Sequence, residues 1–126
     1  MEYQFKKFEG RNVRLESRIT ITKSNSIGLP RKYYQDNNIK EYKYAVLYFD
    51  KNNNAIGIHF TNDENEVNKF SILKSKIGYG GSIIARSFFK SCGIDPQKYH
   101  GRYDWKKKKI EGVGDVYIID LNKEII

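Results

Sequence analysis

Arg31-Lys32-Tyr33-Tyr34-Gln35-Asp36-Asn37-Asn38-Ile39 and Arg86-Ser87-Phe88-Phe89-Lys90-Ser91-Cys92-Gly93-Ile94 share one outline: an Arg, aromatics two and three residues later, an Ile eight residues later. Each follows a short apolar strand preceded by Lys-Ser and a turn, in residues 21–29 and 72–84, so the match extends upstream through a hairpin. One strand-turn-strand-helix unit of about 50 residues buries too little apolar surface to fold well alone. Two copies in one chain read as an intramolecular version of a symmetric dimer. The repeats are taken as 13–60 and 70–121, joined by the acidic connector 61–69, within one domain spanning 1–126. Residues 1–12 are read as an extra strand or an ordered arm.

Working outward, residues 14–22 alternate Leu15, Ser17, Ile19 and Ile21 with Arg14, Glu16, Arg18, Thr20 and Thr22, the period-two mark of a half-buried strand. Lys23-Ser24-Asn25-Ser26 is turn chemistry, Ile27 and Leu29 return, and Pro30 suits the first position of a helix over 30–37. Residues 44–49 and 55–60 form a hairpin about the turn 50–54. In the second copy, 70–74 and 82–85 are strands about the glycine-rich stretch 77–81. A helix over 86–91 is stopped by Gly93 in the left-handed conformation. A weaker strand over 99–105, a turn at the lysine run 106–109 and a last strand over 113–121 follow. The fold class is therefore mainly β with two short helices.

Composition sets the bounds. With 126 residues, 39% of them hydrophobic and 14% aromatic, the chain can close one small core, and large aromatics must supply much of its burial. No apolar run approaches the roughly 20 residues that span a bilayer, and the start lacks the apolar centre of a secretion signal, so no membrane partner and a cytoplasmic location are expected. Cys92 is the only cysteine and is expected to be a small buried hydrophobe; no disulfide or cysteine-based metal cage is expected within one chain.

Charge points to a partner. Twenty-three Lys and Arg against fifteen Asp and Glu give +8, which attracts polyanions over about a Debye length. Residues 6–32 are strongly basic and 61–69 acidic, so the field is polarised. A second basic focus is Lys106, Lys107, Lys108 and Lys109, suited to phosphate contact without sequence preference.

Residues 18–60 resemble the AbrB-type swapped-hairpin domain of bacterial and archaeal transition-state regulators and MazE-like antitoxins. The likeness rests on Ile19-Thr20-Ile21-Thr22-Lys23-Ser24-Asn25-Ser26-Ile27-Gly28-Leu29-Pro30-Arg31, a short helix, Ile39 and a final hairpin. Residues 70–121 join it only through the repeat. Two departures stand out: the first turn lacks the usual glycine, and Lys40-Glu41-Tyr42-Lys43 replaces the usual Gly-Asp after the Ile. The resemblance implies a small barrel of two interlocked β-β-α-β-β units, with DNA met by basic residues of the first hairpin turn and the helix start. Here those are Lys23, Arg31 and Lys32, with Lys74, Lys76 and Arg86 as repeat counterparts.

Without the family, a cation on a helix's first turn gains nothing from the dipole, so Arg31 and Arg86 suit an external phosphate; the plainer account pairs them with Asp36 or Glu41. The expected nucleic-acid-binding set is Arg14, Arg18, Lys23, Arg31, Lys32, Lys74, Lys76, Arg86 and Lys106 to Lys109. Lysines would position the protein on phosphate, and an arginine could read guanine. Tyr33, Tyr34, Phe88 and Phe89 are assigned to the core by their repeated helical position, leaving Tyr79, Tyr103 and Trp105 as candidates for base stacking.

Nothing suggests an enzyme. His59 and His100 lack metal spacing, no nucleophile sits beside a base, and the glycine clusters lack the residues of a phosphate loop. No cofactor and no metal are expected. The expected function is a duplex-DNA-binding regulator, as a monomeric pseudo-dimer or a homodimer of it; the alternative is a protein-interaction module, antitoxin-like or a phage-derived inhibitor, whose basic surface meets an acidic protein.

Overall fold

A computed structural model describes residues 2–5, 17–75 and 80–123. In the first copy, β1 (Ile19–Ile21) and β2 (Ser26–Pro30) are followed by α1 (Arg31–Asp36), a 3-10 turn (Ile39–Glu41), β3 (Tyr44–Asp50) and β4 (Ala55–Thr61). The second half contains β5 (Phe70–Ser71), β6 (Leu73–Lys74), β7 (Gly80–Ile84), α2 (Arg86–Cys92), α3 (Pro96–Tyr99), β8 (Gly101–Tyr103), β9 (Trp105–Ile110) and β10 (Gly114–Asp120). A final 3-10 turn covers Leu121–Lys123. The strands form two antiparallel five-stranded sheets, ordered β6-β7-β2-β1-β8 and β5-β3-β4-β10-β9.

Both sheets mix strands from the two sides of the connector. Local hairpins pair β1 with β2, β3 with β4, β6 with β7 and β9 with β10. Four further ladders cross the connector: β2 with β7, β4 with β10, β1 with β8 and β3 with β5. The chain passes from one sheet to the other three times, through residues 31–43 between β2 and β3 and at two single residues, Ile72 between β5 and β6, and Asp104 between β8 and β9.

The alternation explains the core. Ile19, Ile21, Ile27 and Leu29 point inward from the first sheet, meeting Ile56, Ile58, Phe60, Tyr117 and Ile119 of the second, with Tyr33, Tyr34, Phe88 and Phe89 supplied by the helices. Burying such a side chain is worth ~1.5–3 kcal/mol, so these positions fix strand register. The four helical aromatics are core residues, as their spacing implied, and Ile39 and Ile94 join them. Gly93 ends α2 with φ 70°, and the Ile94 N–H donates to the Phe89 carbonyl at 2.8 Å.

Several expectations need correction. Pro30 is the last residue of β2 rather than the first of the helix: its ψ of 160° is extended and it pairs with Gly80. Residues 99–105 are not one strand. Asp95 caps α3 by accepting from the Gln97 N–H at 2.9 Å, and the chain then turns into β8. The lysine run is not a turn but most of β9, and the reversal comes at residues 111–113. Six residues of β9 pair with β10, and that ladder outweighs the loop-like composition. The second return strand starts at Gly80 rather than residue 82. Cys92 is half-buried rather than fully buried, and burial pushes its thiol pKa up.

The two halves also differ by one residue in the spacing from strand to helix. Ile83, not Ile84, is the inward partner that matches Leu29; Ile84 is 59% exposed. Arg31 follows Leu29 by two residues, whereas Arg86 follows Ile83 by three. The extra residue is Ala85, fully buried, whose N–H donates to the Asn25 carbonyl at 2.8 Å.

Candidate nucleic-acid interface

The β1–β2 turn carries Lys23 at the surface. Thr22 Oγ1 holds the turn closed, lying 2.7 Å from Ser26 Oγ and 3.0 Å from Ser24 Oγ, while Asn25 takes φ 68°. This polar lattice replaces the glycine usual in such turns, because Asn tolerates the left-handed region. The Ala85 bond to Asn25 sets this turn against the start of α2, and Gln97 Nε2 donates to the Lys23 carbonyl at 3.2 Å. Lys23 therefore belongs to the same corner as Arg86 of the other copy, not with Arg31 of its own. Arg86 is exposed and makes no ion pair among the described residues.

The opposite end of the β2–β7 ladder makes a second corner. Pro30 pairs with Gly80, so the return of the second hairpin passes the start of α1 and its exposed Arg31. The Ser75 N–H closes that hairpin on the Gly80 carbonyl at 3.0 Å. Lys76 and Tyr79 of this hairpin lie outside the described residues, as do Arg14 and most of residues 1–12.

The remaining cations are distributed differently from expectation. Lys32 Nζ pairs with Asp36 at 2.9 Å, one helical turn away, so Asp36 is taken by Lys32. Lys74 Nζ donates to the Lys40 carbonyl at 2.7 Å, capping the 3-10 turn. Arg18 and Arg31 each have an interaction partner. Within β9, Lys106 and Lys108 lie opposite Ile118 and Val116 on one face, and Lys107 and Lys109 opposite Tyr117 and Asp115 on the other. Lys107 Nζ sits 3.8 Å from Asp115 and 5.7 Å from the Tyr117 ring centroid. No family model, curated protein or solved structure matches the chain.

Burial removes one stacking candidate, Tyr103, and leaves Trp105 half-buried. Tyr103 is fully enclosed, its hydroxyl donating to the Tyr99 carbonyl at 2.6 Å. Trp105 stands edge-on to Tyr33 and Tyr117, and its Nε1–H donates to the Ser17 carbonyl at 2.8 Å. The same cluster, by burial first and the Asp115 charge second, raises the Tyr117 pKa. The histidines are structural: His59 Nδ1 lies 2.8 Å from the Asp115 carbonyl and His100 Nδ1 3.0 Å from that of Gln97, so each Nδ1 must carry the proton.

One cation was missed. Arg102 lies opposite Thr20 on the outer face of the first sheet and has an interaction partner. The alternation Gly101-Arg102-Tyr103 contained the signal, since a buried Tyr103 turns Arg102 outward.

Proposed function

We propose that this chain is a nucleic-acid-binding protein that engages duplex DNA through two cationic corners and carries out no chemistry. The observation that carries the reading is the bond from Ala85 to Asn25, which seats the first copy's hairpin turn and Lys23 beside the second copy's Arg86. The other corner gathers Arg31 and the second hairpin. Ser26 and Pro30, at the ends of the intervening ladder, are ~14 Å apart at strand rise, comparable to the ~12 Å width of a major groove. Such a spacing suits phosphates on either side of one groove. Lys106 and Lys108, exposed on β9, extend the positive surface without reading bases.

The fold reading belongs with this proposal. Crossings at Ile72 and Asp104, with four ladders exchanged across the connector, support reading the two open sheets as a single-chain relative of the AbrB-like swapped-hairpin arrangement. The offset at Ala85 makes the two corners unequal, which suits a non-palindromic site.

Binding to random duplex should weaken by orders of magnitude between ~50 and ~200 mM salt. Lys23→Ala with Arg86→Ala should weaken it further and flatten the slope of log affinity against log salt by about two units. Unchanged affinity and slope in that double variant would remove the corner from the interface. The second reading, a protein-interaction module, is favoured by the outer face of the first sheet, where Leu73 and Ile84 are 49% and 59% exposed around Gly28 and Ser82. Salt-insensitive binding to a protein, with no duplex affinity, would select it.

A further inference from the structure

β3 and β9 occupy corresponding places in the two copies. Each pairs with the following strand along its length, and among the described residues each is open on its other side: β9 is the edge of its sheet, and β3 meets β5 only at Tyr44 and Ala45. Their edges are built in opposite ways. Four consecutive lysines on β9 are exposed, and charge on an edge strand opposes pairing with another chain. The corresponding run on β3, Val46-Leu47-Tyr48-Phe49, has no charge, proline or glycine.

The direction of the free groups follows from one bond. The Ile72 N–H donates to the Lys43 carbonyl at 3.0 Å, so that carbonyl points to the β5 side, where Ala45 pairs with Phe70. Strand alternation then turns the N–H and C=O of Leu47 and Phe49 to that same side, where no described residue pairs with them. The Leu47 and Phe49 side chains are half-buried at the margin of the core, and Tyr48 is 41% exposed.

We propose that residues 46–50 of β3 form the contact through which a second copy of this chain associates, antiparallel across a two-fold axis. The edge is complementary to itself. With Tyr48 opposite Tyr48 of the second copy, Leu47 of each copy faces Phe49 of the other as a hydrogen-bonded pair, and four N–H···O bonds form. Both Tyr48 rings then meet on the outer face in the closer, non-hydrogen-bonded pair. Five pairs fill the available edge, because Phe70 of β5 already occupies the place beside Ala45. Local charge fits a second copy, against the net +8 of each chain. The acidic connector is anchored at this end of the edge, Glu64 accepting from the Tyr44 hydroxyl at 2.5 Å and lying 3.9 Å from Lys43 Nζ. Antiparallel pairing carries exposed Lys51 of each copy toward the connector of the other. So short a ladder buries less than the ~1,600 Å² of a standard interface, so the dimer is weak and concentration-dependent.

Sedimentation velocity across a dilution series tests this directly. The mass should rise from 14.8 kDa toward twice that value as concentration increases. Tyr48→Lys, which places on β3 the charge β9 already has, should keep the protein monomeric throughout with an unchanged thermal midpoint. Tyr48→Cys, in a Cys92→Ala background, should oxidise to a covalent dimer, since directly opposed residues of that pair type lie ~4.5 Å apart at Cα, within disulfide reach. Amide exchange at Leu47 and Phe49 in the unaltered protein should slow only at the higher concentrations. The proposal is overturned by a mass fixed at the monomer value, by a dimer that Tyr48→Lys leaves intact, or by amides already protected at high dilution, which would mean that the chain covers its own edge.

Discussion

Tyr33 lies fully buried between Trp105 and Tyr117, and its hydroxyl has no hydrogen-bond partner among the described residues. Burial, and then the Tyr117 charge, pushes its pKa far up, so the group stays neutral. A buried unpaired hydroxyl costs ~1–3 kcal/mol, and the other copy has Phe88 at the matching position. Tyr33→Phe is therefore expected to stabilise the protein by ~1 kcal/mol, read as a higher urea midpoint at unchanged slope. Asp50 gives a pH-dependent case. The side-chain amide of Asn53, donating at 2.7 Å, and then the Asn53 backbone N–H at 3.2 Å hold the Asp50 pKa below its usual value. A depressed carboxyl pKa contributes stability above the unfolded value of ~3.9 and loses it as pH falls through the folded value. Asn53→Ala should thus be less stable than the parent at neutral pH, and the two should converge in urea titrations as pH falls through the folded Asp50 pKa.

Among the elements, the start of β7 is the least tolerant of change. Gly80 has φ +130°, and a Cβ there would lie 2.5 Å from the Leu29 carbonyl oxygen, a backbone atom fixed by the ladder. Gly93 has φ +70° with open space around it. Gly80→Ala should cost ~3 kcal/mol by combining strain with displacement of β2, and Gly93→Ala only ~1 kcal/mol from the left-handed conformation; chemical denaturation of both variants provides the comparison. α1, α2, the β3–β4 hairpin and the inward aromatics were legible in the sequence because each depends on local periodicity, whereas α3, a third helix of four residues, was not. The lysine strand was not. Lys106 to Lys109 look like a loop until β10 lies beside them, since the pairing that makes them a strand is formed by residues five or more positions away. The same limit applied to the site: Lys23 and Arg86 are 63 positions apart, and no local pattern states that the Asn25 carbonyl meets the Ala85 N–H. Tyr103 looked available because its concealment, and the Ser17 carbonyl that takes the half-buried Trp105 indole N–H, come from elements that composition does not join.

For the whole molecule, the two halves depend on one another. β2 has its second neighbour in β7, β4 in β10 and β1 in β8, so either half alone would expose its inward isoleucines and the long edges of its hairpins. Residues 1–65 and 66–126 produced separately should each show little fixed structure by near-ultraviolet circular dichroism, and mixing them should restore the native spectrum. Recovery of native signal by one half alone would contradict the shared core. The β1–β8 ladder joins Ile19 to Tyr103, and such remote pairings slow folding toward the millisecond-to-second range. During synthesis the first half emerges with its hydrogen-bonding partners still untranslated. It must wait, apolar and unmatched, until β7, β8 and β10 have been made, so the inward isoleucines of the half-made chain stay open to aggregation throughout that interval.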